Sequence, residues 1–342
     1  MNLYMNLSQL RTILEKEPGY RLGQVKKALF QDLIHSWEEA VALPLNLRDE
    51  LNKGCPIDPL GKTFVSKEGD TIKALITLED GLKIETVLMR HQDKRNTVCV
   101  SSQVGCPLGC SFCATGKIGF ERNLEAGEIV GQVLFFARFL KKIKGKVTNV
   151  VFMGMGEPFL NYENVIKAII ILNDKEGFGL GSRHFSISTV GILDGIEKLA
   201  KEKLQINLAI SLHAPDDELR SQLIPINKEY SLKEILDIVD GYIEKTRRRV
   251  MFEYIMIRGV NDSEEHARTL AELMRKPLYF VNLISCNPIG IFKPSLAPRM
   301  ERFKEILEGN GVVVTQRYRL GQDIEGACGQ LAVKNSSTSI HG

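Results

Sequence analysis

Apolar residues recur at helical spacing through residues 1–60, most clearly in Tyr20-Arg21-Leu22-Gly23-Gln24-Val25-Lys26-Lys27-Ala28-Leu29-Phe30. A second helical segment around Trp37–Leu43 is expected to end near Pro44, because proline cannot continue a helix. The pattern then turns to β. Thr71–Leu78 and Leu82–Met89 are β-rich runs joined across Glu79-Asp80-Gly81, and Asp-Gly between such runs signals a hairpin. Candidate strands follow at Thr97–Ser102, Val147–Met153, His184–Val190, Gln205–Leu212, Val250–Ile257 and Tyr279–Ser285, with helical patterns between them. Repeated strand–helix units predict an α/β fold with a parallel sheet, and six of them a full or partial barrel. One more strand, Gly311–Tyr318, precedes a polar stretch, Asn335–Gly342, expected to be disordered. The shifts in pattern divide the chain into a helical accessory unit (1–60), a hairpin extension (61–96), the strand–helix series (97–331) and a tail (332–342).

Of the 342 residues, 44% are hydrophobic and 25% charged, the composition of a folded globular chain. A net charge of +3 excludes a histone-like electrostatic binder but leaves room for local basic patches. No apolar run approaches the roughly 20 residues that cross a bilayer. Arg11, Glu15, Lys16 and Glu17 interrupt the apolar pattern at the N-terminus, so no signal peptide is expected. The expected location is the reducing cytoplasm, where grouped cysteines more often mean metal or catalysis than structural disulfides.

Cys106, Cys110 and Cys113 form C-x3-C-x2-C directly after a predicted strand. Three thiolates this close converge only if the loop curls around something, and Gly105 and Gly109 let it curl. Structural zinc normally takes four protein ligands, and Cys99, on the strand, cannot readily join the same knot. A four-iron cluster held by three cysteines leaves one iron open for a further ligand. A zinc site completed by a distant histidine and a Cys110/Cys113 redox pair are the alternative readings.

Other strand ends carry polar groups, and in parallel barrels ligand chemistry collects at the C-terminal ends of strands. Met153-Gly154-Met155-Gly156-Glu157-Pro158 ends the second strand; its glycines let backbone approach a ligand, and Glu157 can accept from a cationic amine. Ser188 ends the third strand, Ser211-Leu212-His213 the fourth, and Asn287 follows the sixth. Each alone reads as structural. Together they mark one rim.

The cysteine spacing resembles that of the radical S-adenosylmethionine (radical SAM) superfamily. The segments CVSSQVGC, FCATG, MGMGEP, SISTVG, SLHAP and DIEGACGQL resemble one subfamily, the RlmN/Cfr group of RNA adenosine methyltransferases, and YRLGQVKKALF and LPLNLRDEL resemble its accessory domain. The resemblance implies a radical SAM partial (β/α)6 barrel with a small N-terminal helical domain and a β-hairpin extension. It implies one [4Fe-4S] cluster on Cys106, Cys110 and Cys113. Two SAM molecules per turnover are implied, bound by Glu157, Pro158, Ser188, Ser211, Leu212, His213 and Asn287.

The chemistry is likewise implied by the resemblance. Carbon 2 of adenine is not nucleophilic, so the group first methylates a cysteine, matched here by Cys328. A 5′-deoxyadenosyl radical from a second SAM then abstracts hydrogen from that methyl group, and the methylene radical adds to adenine. Glu85 matches the acceptor of the ring proton. Cys99 matches the thiol that releases the protein–RNA adduct, leaving a disulfide. Cys55 has no partner pattern, and Ser285-Cys286-Asn287-Pro288 departs from the Pro-Trp-Asn-Pro common in the group.

The implied partners are 23S rRNA, tRNA and a flavodoxin-like or ferredoxin-like electron donor, with no membrane contact and a monomeric chain. Lys141–Lys146, Lys245–Arg249, Arg317 and Arg319 are basic candidates for phosphate contacts. A Cfr-like carbon-8 methyltransferase is the nearest rival; Val104 resembles the RlmN form, where Cfr-type sequences tend to carry cysteine. A rival of another class is an Fe–S or zinc-stabilised RNA-binding module, which would not turn over SAM.

Overall fold

Among the described residues ten strands hydrogen-bond into one sheet, and the direction in which each runs positions everything else. The computed structural model describes residues 6–57, 61–317 and 321–332. Its strands are β1 (Gly61–Val65), β2 (Thr71–Thr77), β3 (Lys83–Arg90), β4 (Asn96–Cys99), β5 (Gln103–Gly105), β6 (Phe120–Asn123), β7 (Asn149–Phe152), β8 (Phe185–Thr189), β9 (Asn207–Ser211), β10 (Val250–Met256), β11 (Tyr279–Ser285) and β12 (Val314–Arg317). The sheet order is β1-β2-β3-β4-β7-β8-β9-β10-β11-β12, with β5 and β6 in a separate ribbon. From β4 to β12 every pairing is parallel. Because β4 pairs with β3 on its other side, the parallel strands form an open barrel, an α/β fold as expected.

Strands covered on both faces read as unbroken apolar runs. Val98, Val150, Ile187, Leu208, Phe252 and Leu283, one from each of six parallel strands, are all buried. The helices between strands follow the same logic. Leu232–Thr246 turns Leu232, Ile235, Leu236 and Val239 inward, and Ser231 and Glu234 cap its start reciprocally.

The expected hairpin forms: β2 and β3 pair antiparallel with Leu75 opposite Glu85. It joins the parallel sheet through β3 and β4, where Val87 faces Cys99. Strand β1 was not anticipated, since Gly61–Val65 is mostly exposed and carries no apolar alternation.

The N-terminal residues pack three helices, Leu7–Leu14, Tyr20–Lys26 and Leu45–Gly54, around the buried Trp37. The helix expected over Trp37–Leu43 is only a 3-10 turn, Trp37–Glu39. Pro44 starts the next helix rather than ending one, as its fixed φ and missing N–H suit a helix entry. The indole of Trp37 donates to the Cys55 carbonyl at 2.7 Å. Arg138, from helix Ala126–Lys142, ties this unit to the barrel by donating to the carbonyls of Ile34 (2.9 Å) and Ile57 (3.1 Å).

Candidate active site

Where the parallel strands end, a cavity of about 850 Å³, counted to its open mouth, is lined by Cys106, Cys110, Cys113, Glu157, Ser188, Ser211, His213 and Cys328. The cysteine loop curls because Gly105 and Gly109 have φ of +77° and +64°. At Gly105 a Cβ would lie 2.0 Å from the Gly119 carbonyl, so no other residue fits. The β5–β6 ribbon braces the loop, with the Cys106 N–H donating to the Gly119 carbonyl at 2.8 Å.

Burial pushes the Cys106 thiol up to about 12, and Cys110 is raised further by burial and its neighbours Cys113 and Cys106. Bare thiolates are therefore disfavoured, and a cationic iron centre would reverse that balance. Among the described residues no three His, Cys, Asp or Glu side chains are grouped to hold a single metal ion. Cys106, Cys110 and Cys113 line one cavity together, and three thiolates can hold a four-iron cluster while leaving one iron open. His213 bears on the zinc alternative. The Ile255 N–H donates to its Nδ1 at 3.1 Å, so the ring proton sits on Nε2, and burial lowers the pKa to about 3. Such a ring offers no free lone pair to zinc.

Glu157 is buried at the end of β7. Its carboxylate accepts from the N–H groups of Phe159 and Val190, both at 3.0 Å. Burial still wins, pushing its pKa up to about 7. An amine or cation beside it would favour the charged form. The glycines before it serve chain crossing as much as ligand approach. A Cβ at Gly154 would lie 2.7 Å from the Val100 carbonyl, and one at Gly156 (φ +102°) 2.6 Å from the Gln103 side chain.

Across the cavity, Ser188 donates to Glu253 at 2.7 Å and lies 3.2 Å from the Ser211 hydroxyl. Ser211 and Glu253 are register partners on β9 and β10. Pro158, Leu212 and Asn287 are buried but are not among the cavity-lining residues. Pro158 opens the 3-10 turn Pro158–Asn161. Leu212 accepts from Arg220, and Asn287 donates to the Cys328 carbonyl at 2.9 Å.

The segment bearing Cys328 is strapped across the mouth. Ala114 N–H donates to the Gly329 carbonyl at 2.7 Å, and the Thr115 hydroxyl to the Leu331 carbonyl at 2.6 Å. Glu85 accepts from the Ala332 N–H at 2.9 Å while paired with the buried Lys73 at 3.0 Å. Burial raises the Glu85 pKa, with Lys73 opposing. Glu85 and Cys99 are buried on β3 and β4 and do not line the cavity. Cys286, also buried, lies next to Asn287.

The basic runs lie elsewhere. Lys141–Lys146 precedes β7 and Lys245–Arg249 precedes β10, so both sit at the N-terminal edge of the sheet, opposite the cavity. The Arg317 side chain and Arg319 lie outside the described residues.

Two site residues escaped sequence reasoning. Glu253 was the one carboxylate inside the apolar run Val250–Met256, a signal that could have been read. Arg220 is fully buried on the short helix Asp217–Leu223, where its polar neighbours read as a solvated face. It donates to the carbonyls of Val190 (2.6 Å), Ser211 (3.0 Å) and Leu212 (3.1 Å) and to Asn227 (2.6 Å). One guanidinium thus pins the ends of β8 and β9.

An open parallel barrel with three loop cysteines at its C-terminal rim is the architecture of a radical SAM enzyme, and residues 100–271 match the model of the Radical SAM superfamily. A solved radical SAM methyltransferase from Sphaerobacter thermophilus superposes with a TM-score of 0.92 at 43% identity, covering 97% of this chain and 98% of that one. "Probable dual-specificity RNA methyltransferase RlmN" of Dictyoglomus turgidum is 45% identical over 99% of each chain. "Ribosomal RNA large subunit methyltransferase N" of Nitrosopumilus maritimus is 47% identical over 91% of this chain and 92% of its own. The chain belongs to the RlmN family of radical SAM methyltransferases. A [4Fe-4S] cluster and SAM are that superfamily's cofactors, and the cysteine loop and polar cavity described above fit them.

Proposed function

We propose that this chain methylates carbon 2 of adenosine in 23S rRNA and tRNA, carrying the new carbon on Cys328. The observation that carries the reading is the meeting of Cys328 with the three loop cysteines and Glu157 in one cavity. The names of the full-length relatives supply the substrate class. When bound, the cluster and SAM supply the methyl group and the one-electron chemistry.

The chain's own residues divide the remaining work. Cys106, Cys110 and Cys113 hold the cluster. Glu157 accepts from the amino group of SAM, while Ser188, Ser211 and His213 line the rest of its cavity. Pro158 and Leu212 act from behind, through backbone position, and Asn287 through its side-chain amide, which fixes the Cys328 carbonyl. Glu85 receives the adenine proton, and its bond to Ala332 puts it on the segment that bears Cys328. Cys99 resolves the adduct. Glu85 and Cys99 reach the reacting carbon only after that segment shifts, because neither lines the cavity in its present form. No helix among the described residues is long and apolar enough to cross a membrane. The enzyme works as a cytoplasmic monomer reduced by a flavodoxin-like or ferredoxin-like protein.

The test separates dead variants from trapped ones. Cys106→Ala, Cys110→Ala or Cys113→Ala should each abolish SAM cleavage. Cys328→Ala should assemble the cluster yet transfer no methyl group to RNA. Cys99→Ala and Glu85→Gln should accumulate protein cross-linked to RNA on denaturing gels. Full product from Cys328→Ala, analysed as methyladenosines by mass spectrometry, would sink the reading.

A further inference from the structure

The loop that leaves β11, residues 287–295, carries an exposed apolar tip, and its first residues touch the segment of Cys328. Ile289 and Phe292 exchange backbone hydrogen bonds (3.1 and 3.4 Å), leaving Gly290 (φ +59°) and Ile291 as a two-residue turn. Ile291 is 87% exposed. The turn is held rigidly at its base. Arg258 N–H donates to the Lys293 carbonyl at 2.9 Å, and Ser295 donates to the buried Asp262 at 2.6 Å. The other end of the loop reaches the reacting sulfur's segment, through Asn287 on the Cys328 carbonyl and Ile289 against Gly329.

A single exposed isoleucine is ordinary on a protein surface. Its surroundings here are not. Lys117 points its ammonium at Gly290, next to the tip, and Arg258 and Lys293 flank the loop's base. All three are exposed, and among the described residues none pairs with a carboxylate. An exposed apolar tip with one cation beside it and two more at its base matches the needs of nucleic acid. The cations meet phosphates, and the apolar side chain enters a base stack. An acidic protein would satisfy the cations but has no use for the tip.

We propose that Ile291 is a stacking wedge: it fills the place in the RNA stack that the target adenosine leaves when it enters the cavity, with Lys117, Arg258 and Lys293 holding the flanking phosphates. The inference rests on the RNA methyltransferase reading. Ile291 is a positioning residue, since it acts on the neighbours of the reacting base and not on the base's carbon.

The probe is a synthetic RNA stem–loop with 2-aminopurine in place of one loop adenosine, bound to full-length protein loaded with its cluster and SAM but without reductant. Wild-type protein should raise the fluorescence as the base unstacks. Ile291→Gly should lower the unstacked fraction about tenfold, the size of one lost stacking contact, and Ile291→Met should restore it. RNA affinity should change less than about twofold, because phosphate contacts dominate it. On reduction, methylation of an unmodified stem–loop should fall in parallel for Ile291→Gly. It should recover when the neighbouring nucleotide is abasic and offers no stack.

Undiminished fluorescence with Ile291→Gly overturns the proposal, and so does equal loss of methylation on ordinary and abasic RNA. Slower cluster reduction by a ferredoxin, with unstacking unchanged, would make the loop a donor-docking surface instead. If wild-type protein methylates no adenosine while unstacking still depends on Ile291, the enzymatic reading fails and the wedge stands.

Discussion

Arg220 offers the sharpest test of how the cavity is held together. It is fully buried, and its four bonds go to three backbone carbonyls and one amide, with no carboxylate among those partners. Replacing it with methionine keeps much of the volume and strands four acceptors. At about 1.5 kcal/mol each, stranding them costs about 6 kcal/mol. Part of that is recovered, because burial already penalises the charge. The guanidinium's pKa falls from 12.5 to about 10, which corresponds to about 3 kcal/mol against the charged form. The net expectation for Arg220→Met is a loss of about 3 kcal/mol, or roughly 4 °C in Tm for a chain of this size. Arg220→Lys keeps a cation but cannot reach all four acceptors, and should recover less than half. Thermal and urea unfolding followed by circular dichroism measure both. Because Arg220 pins Val190 and Ser211, which line the cavity, SAM binding by equilibrium dialysis should weaken in Arg220→Met at temperatures where it is fully folded. Stability within about 0.5 kcal/mol of wild type, well inside the ordinary range for a surface substitution, would refute the reasoning.

Two further outcomes follow from the same cavity. Glu157 has a folded pKa of about 7 against an ordinary 4.5. Its neutral form is thus favoured in the fold, and the stability it gives is complete below about pH 4.5 and lost as pH rises through 7. Without SAM, Glu157→Gln should flatten that decline by about 3 kcal/mol in urea unfolding between pH 4.5 and 8, and equal slopes would count against it. Gly156→Ala must place a Cβ 2.6 Å from the Gln103 side chain at a φ of +102°, so it should cost about 2–4 kcal/mol and reduce iron incorporation; wild-type iron content and stability would show the crossing to be looser than drawn.

Much of this site was legible in the sequence, for definite physical reasons. A parallel strand buried on both faces must be apolar along its length, so Val250–Ile257 and Tyr279–Ser285 stood out as strands. Cysteines at short fixed spacing beside glycines leave few foldings of the backbone, so the curl at Cys106–Cys113 was readable. What failed depended on partners distant in the chain. Arg220 looks like a surface arginine until the carbonyls at the ends of β8 and β9 are seen around it. The basic runs Lys141–Lys146 and Lys245–Arg249 carry no sign of their place in the sheet, and only the parallel topology shows that they sit at the starts of β7 and β10, away from the cavity. Pro44 can end one helix or begin the next, and its local sequence does not say which.

The strap across the mouth also sets an order of events in the life of the chain. Its bonds join residues 216, 247, 252 and 256 positions apart, from Thr115 to Leu331, Glu85 to Ala332, Lys73 to Glu325 and Lys67 to Asp323. Every strand of the barrel is therefore synthesised before the residues that complete the pocket. Until those residues are made, nothing of this strap covers the three loop cysteines. Cys328 can be drawn over them only once residues 323–332 have followed. Cys328 is thus made after the cysteine loop and every barrel strand, and this pocket is the last part of the described fold to be completed.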